Sequence, residues 1–166
     1  MKKYTLILSF LVVGALLTAC GLGLNIKQDA AGNTIIDVSL PESAVNTILK
    51  ESVVTGDNQN DVLNQIDSVD MKPGLISVAG KRTLVDGTLV NGTFDLSLTA
   101  ENGQLKASVS NVQVGGEPVS QEAINRINER IASRLAQSAS DNDQSEVTSV
   151  NITDSALQFV ITIKKQ

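Results

Sequence analysis

A chain of 166 residues with one cysteine, no histidine and an aromatic share of 2% leaves little room for several common chemistries. No disulfide can form within the chain, and neither a histidine base nor the usual histidine metal sites can be built. A formal net charge of −5 with few rings for stacking runs against nucleic-acid binding, which rewards basic patches and aromatic platforms, and against polybasic attachment to lipid surfaces.

At the N-terminus, Lys2 and Lys3 precede YTLILSFLVVGALL, an uncharged run shorter than the roughly 20 residues a membrane-spanning helix needs. A positive start, an apolar middle and small residues before a cleavage point are the features of a secretory signal. The run ends Leu17-Thr18-Ala19-Cys20, which resembles the lipobox of bacterial lipoproteins, where cleavage precedes the cysteine and its sulfur carries a diacylglyceryl group. The resemblance implies a signal peptide over 1–19, lipidation at Cys20, and a bacterial cell-membrane protein, lipid-anchored and facing the extracytoplasmic side. Several acyl chains give stable attachment. Residues 20–33 then read as lipidated cysteine and flexible tether, and 34–166 as a single domain. Taking the two leader lysines from −5 leaves −7 for the remainder, because every acidic residue follows Cys20.

The mature chain opens with TIIDVSL, where Ile36, Val38 and Leu40 alternate with Asp37 and Ser39 in the period of a half-buried strand. PESAVNTILKESV then changes period: Pro41 suits a first helical turn, Glu42 favours its positive end, and Val45, Ile48, Leu49 and Val53 form an apolar stripe. The spacing of Val62, Leu63, Ile66 and Val69 predicts a second short helix near 60–68. After Lys72-Pro73-Gly74 breaks the chain, residues 75–84 read as strand, weakened by Gly80, Lys81 and Arg82. Asp86-Gly87 and Asn91-Gly92 are both turn signals, for two tight hairpins or for one hairpin and an irregular edge.

Phe94, Leu96, Leu98 and Ala100 then alternate with polar residues, ENGQ turns the chain, and Leu105, Ala107 and Val109 return. Val112 and Val114 fall off that parity. One extra residue at Ser110-Asn111, as a β-bulge, would restore it and bend the strand, and a loop would serve as well. The bulge favours a strongly curved sheet. After Gly115-Gly116 comes the longest helix, capped by Ser120, with Ile124, Ile127, Ile131 and Leu135 on one face and Glu122 able to pair with Arg126. A polar loop leads to a final hairpin whose inward row is Leu157, Phe159, Ile161 and Ile163. The order of elements predicts an α+β fold, a curved antiparallel sheet packed around or against a long helix, with one or two shorter N-terminal helices.

Catalytic constellations are hard to assemble from these residues. The acidic run at 141–146 starts like a calcium loop, but Glu146 stands where glycine belongs and Ile152 where glutamate belongs. The run at 57–61 is likewise a solvated turn. Glu42, Glu51 and Asp61 are not placed by spacing as a carboxylate pair. Ser43, Ser52 and Ser120 have no histidine partner, and Ser77 with Lys81 is a formal serine–lysine pair without a supporting motif. Asn91-Gly92-Thr93 and Asn151-Ile152-Thr153 match glycosylation sequons and read, in a bacterial lipoprotein, as turn and strand residues. The sequence predicts a protein that is not an enzyme and needs no cofactor or metal.

IDVSLPESAVNTILKE, ENGQLKASVSNVQVGGEPVS, the long helix and VTSVNITDSALQFVITIKK together resemble small bacterial members of the tubular lipid-binding superfamily, which includes the bactericidal/permeability-increasing protein and synaptotagmin-like lipid-binding modules. The resemblance spans roughly 34–164 and implies a curved sheet wrapping a long helix around an apolar channel for acyl chains. Carried over position by position, it implies that Val45, Ile48, Leu49, Leu105, Val109, Val112, Val114, Ile124, Ile127, Ile131, Leu135, Phe159 and Ile161 line the channel, with a lipid as ligand. Each of them would equally serve as an ordinary core residue. The competing expectation is a tethered, non-enzymatic structural or protein-interaction domain with a closed core; no particular protein partner is indicated.

Overall fold

The computed structural model describes residues 22–54, 62–139 and 145–165. The leader, Cys20, the run at 57–61 and most of the run at 141–146 lie outside the described residues, as do the side chains of Glu51 and Leu135.

Among the described residues, two antiparallel sheets and two helices make up the fold. In chain order, β1 (Gly23–Gln28) and β2 (Thr34–Pro41) form a hairpin, and β2 runs directly into α1 (Glu42–Val54). The strand-to-helix switch falls at Pro41-Glu42, where the acidic side chain occupies the first turn and favours the positive end of the helix. The chain then forms a meander of β3 (Gln65–Lys72), β4 (Leu75–Thr83), β5 (Leu89–Glu101), β6 (Gln104–Val114) and the two-residue β7 (Glu117–Pro118). Next come α2 (Gln121–Ala139) and the closing hairpin β8 (Ser145–Ile152) and β9 (Ala156–Ile163). The first sheet has the order β1-β2-β9-β8, and the second is the meander β3-β4-β5-β6-β7.

The two sheets meet at β8. The turn between β3 and β4 donates Gly74 N–H to the Ile152 carbonyl at 2.9 Å, and the turn between β5 and β6 accepts Val147 N–H at the Gly103 carbonyl at 2.7 Å. These two hairpin tips, at one end of the second sheet, thus bond along β8, the terminal strand of the first, and satisfy groups that an open edge would leave unpaired.

Side-chain parity sets the core. One buried cluster joins Val45 of α1, Leu63, Ile66, Val69 and Met71 around β3, Ile76 and Val78 of β4, and Ile152 and Leu157 of the closing hairpin. A second sits under α2, with Val109, Val112 and Ile124 buried and Ile127 and Ile131 against them. Val62, Phe94 and Leu96 pack against both.

The expected curved sheet around a long helix is overturned. Neither sheet closes on itself or curls strongly, and the apolar rows assigned to one wrapped sheet belong to two. The helix explains why. A helix enclosed by a sheet must be apolar all round, but α2 packs against β6 while Glu122, Arg126 and Glu129 stand exposed. The expected N-cap holds, with Ser120 Oγ accepting Ala123 N–H at 3.4 Å and Glu122 paired to Arg126.

Three local expectations also change. Residues 65–72 are strand β3, not helix. A bulge at Asp67 in the pairing with β4 puts Ile66 and Val69 on one face although they are three apart, which imitates helical spacing. Asn91-Gly92 lies inside β5 rather than in a turn. Residues 23–28, expected in a flexible tether, pair with β2 along their whole length. The parity break before Val112 is a bulge: Thr93 pairs with Gln113 and Asp95 with Ser110, and Asn111 takes a φ of 52°.

Candidate functional site

The thirteen residues expected to line one channel are distributed over separate surroundings. Val45 is buried in the first cluster, with Leu49 and Phe159 packed against it. Val109, Val112 and Ile124 are buried in the second, with Ile127 and Ile131 on its margin. Leu105, Val114 and Ile161 are half-buried on their strands. Ile48 faces solvent at 51% exposure, while Val45 and Leu49 of the same helix turn into the first cluster. The structure therefore brings together two groups of these side chains as packed core.

Exposed large apolar side chains gather in two other places. One is the β4–β5 hairpin tip, where Leu84 and Val85 of the loop and Leu89, the first residue of β5, are exposed, Val85 at 92%. This tip is tightly built: Leu84 N–H donates to the Thr88 carbonyl at 2.8 Å, Gly87 takes a φ of 83°, and Asp86 Oδ1 accepts Thr88 N–H at 2.9 Å. That last bond, with the Thr88 hydroxyl, holds the Asp86 carboxyl below the usual aspartate range. At about 3.3 Å per residue along β4, the tip stands roughly 30 Å from the opposite turn at Gly74, which is bonded to β8.

The second place is β1. Register pairs Leu24 with Val38 and Ile26 with Ile36, and β2 pairs those with Phe159 and Ile161. Six apolar positions therefore line up in two rows of three across the first sheet. The rows end on Leu24 and Ile26, 45% and 55% exposed. The other face of the same strand is polar: Asp37 Oδ2 accepts Asn25 Nδ2 at 3.3 Å and Lys27 Nζ at 3.0 Å. Gly23 adds no side chain opposite Ser39, leaving a shallow hollow of about 440 Å³ bounded by Asn25, Asp37, Ser39, Gln158 and Val160.

A polar hollow of about 520 Å³ lies on the outer face of the second sheet, lined by Ser68, Asp70, Ser77, Thr93, Asp95, Asn111 and Gln113. Asp95 is its centre: Oδ1 accepts Ser77 Oγ and Oδ2 accepts Asn111 Nδ2, both at 2.8 Å. Asp70 pairs with Lys72 at 3.1 Å. Ser77 is thus bound to a carboxylate, while Lys81 lies four residues along the same strand, about 13 Å away, too far to activate it. Among the described residues no group of three or more acidic or cysteine side chains is arranged to hold a metal ion.

Leu24, Ile26 and Val85 escape a reading that looks for chemistry. Their signals are nevertheless in the text: Leu22, Leu24 and Ile26 alternate with small or polar residues, and Leu84-Val85 precedes a turn dipeptide. No protein-family model matches the chain, and neither does a curated protein or a solved structure.

Proposed function

We propose that this protein is an extracytoplasmic lipoprotein, anchored to a bacterial cell membrane through Cys20, whose α+β domain is a non-enzymatic interaction module. The observation that carries the reading is the leader: two lysines, an apolar run and Leu17-Thr18-Ala19-Cys20 stand immediately ahead of a folded domain that begins at Gly23. An interaction role is supported by the rigid tip at Leu84, Val85 and Leu89, since clustered exposed apolar side chains mark contact surfaces.

The test is the intact mass of the mature protein from bacteria expressing the full chain. The expected species starts at Cys20 and carries a diacylglyceryl adduct, and Cys20→Ala leaves unprocessed or unlipidated chain. A wild-type chain with an unmodified Cys20 overturns the reading.

A further inference from the structure

We infer that Leu24 and Ile26 seat in the boundary layer of the same bilayer that holds the Cys20 lipid, so that β1 lies along the membrane and sets the orientation of the domain; this rests on the lipoprotein reading above. The distance available is short. Three residue steps separate Cys20 from Gly23, and a chain covers at most about 3.6 Å per step, so β1 starts within about 11 Å of the anchored cysteine.

No slack follows that point. β1 pairs with β2 from Gly23↔Ser39 to Gln28↔Thr34 without a break, so the folded sheet itself, rather than a linker, meets the membrane. Among orientations of such a sheet, burial of apolar surface selects one. The β1 side chains on one face are Leu24 and Ile26, 45% and 55% exposed, backed by Val38 and Ile36. The apolar face of a surface-bound amphipathic helix enters the headgroup–acyl boundary by about 5–10 Å, and the leucine and isoleucine of a strand lying on the surface point into the outer part of that layer.

Charge permits the approach. The domain is acidic, but the one charged residue of β1 is Lys27, and it is paired with Asp37 on the opposite, polar face. That face, with Asn25 and the hollow at Gly23, is left toward water.

The experiment uses the full chain, processed and lipidated in bacteria, then purified and placed in vesicles of phosphatidylcholine and phosphatidylglycerol. Single variants Leu24→Cys, Ile26→Cys, Asn25→Cys and Val85→Cys carry an environment-sensitive fluorophore, Cys20 being blocked by its lipid. A lipid-borne quencher is expected to lower emission at positions 24 and 26 by about twofold or more, as burial in the boundary layer requires, and to leave 25 and 85 unchanged. Equal quenching at all four sites, or none at 24 and 26 on a protein whose mass shows the Cys20 lipid, overturns the docking and leaves the anchor standing. Protection at 24 and 26 that is independent of vesicles and rises with protein concentration identifies a second copy as the occupant and also overturns it. An unmodified Cys20 in the same mass spectrum overturns the anchor and the docking together.

Discussion

The carboxamide of Asn128 exchanges two hydrogen bonds with the backbone of Val109: the Val109 N–H donates to Oδ1 at 2.6 Å, and Nδ2 donates to the Val109 carbonyl at 3.1 Å. A side chain of α2 thereby does for β6 what a neighbouring strand would do, since β7 pairs only with Gln113 and Val114. It also fixes the rotation of α2, which brings Ile124, Ile127 and Ile131 onto the second cluster.

Asn128→Leu keeps the bulk and removes both bonds, leaving an unpaired donor and acceptor on a residue only 5% exposed. An unmade buried hydrogen bond costs about 1–3 kcal/mol, so urea unfolding is expected to show a loss of about 2–4 kcal/mol. Asn128→Asp keeps the acceptor and faces a carboxylate toward the Val109 carbonyl, and should also destabilise at neutral pH. A change below about 0.5 kcal/mol, the range of ordinary surface substitutions, would show that the pair does not hold α2.

Leu63 and Gly92 offer a sharper test, because they share one space. Leu63 is 2% exposed, and a Cβ on Gly92 would stand 2.6 Å from its Cδ2 and 3.1 Å from the Gln113 carbonyl. Gly92→Ala is therefore expected to cost about 1–3 kcal/mol by overpacking, and Leu63→Ala about 2–5 kcal/mol by leaving a cavity. In the double variant the new methyl occupies part of that cavity. The combined loss should fall short of the sum by at least about 0.5 kcal/mol, the scale of coupling between contacting residues. Strict additivity would mean that Leu63 does not lie over Gly92.

How far the sequence carries the fold depends on what each signal measures. Alternation over residues 93–100, 104–109 and 156–163 is a local property of a strand with one buried face, and it places β5, β6 and β9 correctly. The bulge before Val112 is legible because it breaks a clean parity. The bulge in β3 is not, because it turns Ile66 and Val69 into a three-residue spacing, the same spacing a helix uses. Division into two sheets is not local at all: it is decided by β2 pairing with β9 rather than with the meander, between residues more than a hundred positions apart.

The candidate surfaces follow the same division. Cys20 is legible as a pattern of four residues. The exposure of Leu24 and Ile26 depends on β1 pairing with β2 on one side only, and no composition states that. Ile48 shares the helical stripe of Val45 and Leu49, yet it is exposed because β3 covers α1 over a narrower arc than the stripe spans.

Acid should loosen the turn that joins β1 to β2 only below the ordinary aspartate range. Asp29 Oδ1 accepts the N–H groups of Ala31 and Asn33, both at 2.9 Å, and Oδ2 accepts Asn33 Nδ2 at 2.8 Å. The Asn33 side chain and then its backbone N–H hold the Asp29 carboxyl below the usual aspartate range; partial desolvation opposes them, and the N–H groups of Ala31 and Gly32 add to the lowering. The same turn reaches the end of the chain, where Asn33 Oδ1 accepts Lys165 N–H at 3.1 Å. The folded form therefore binds the Asp29 proton more weakly than the unfolded form. Its contribution is fully present above the ordinary aspartate value of about 3.9, and is lost as pH falls through the lowered folded value. In an NMR titration, the Asp29 carboxyl is expected to titrate below about 3.9, with the amides of Ala31, Asn33 and Lys165 moving at the same midpoint. Asp29→Asn should reduce stability at neutral pH and lose its difference from wild type at the acid end. A midpoint at or above the ordinary value, or amides that titrate independently of it, would mean that the carboxylate does not organise this turn.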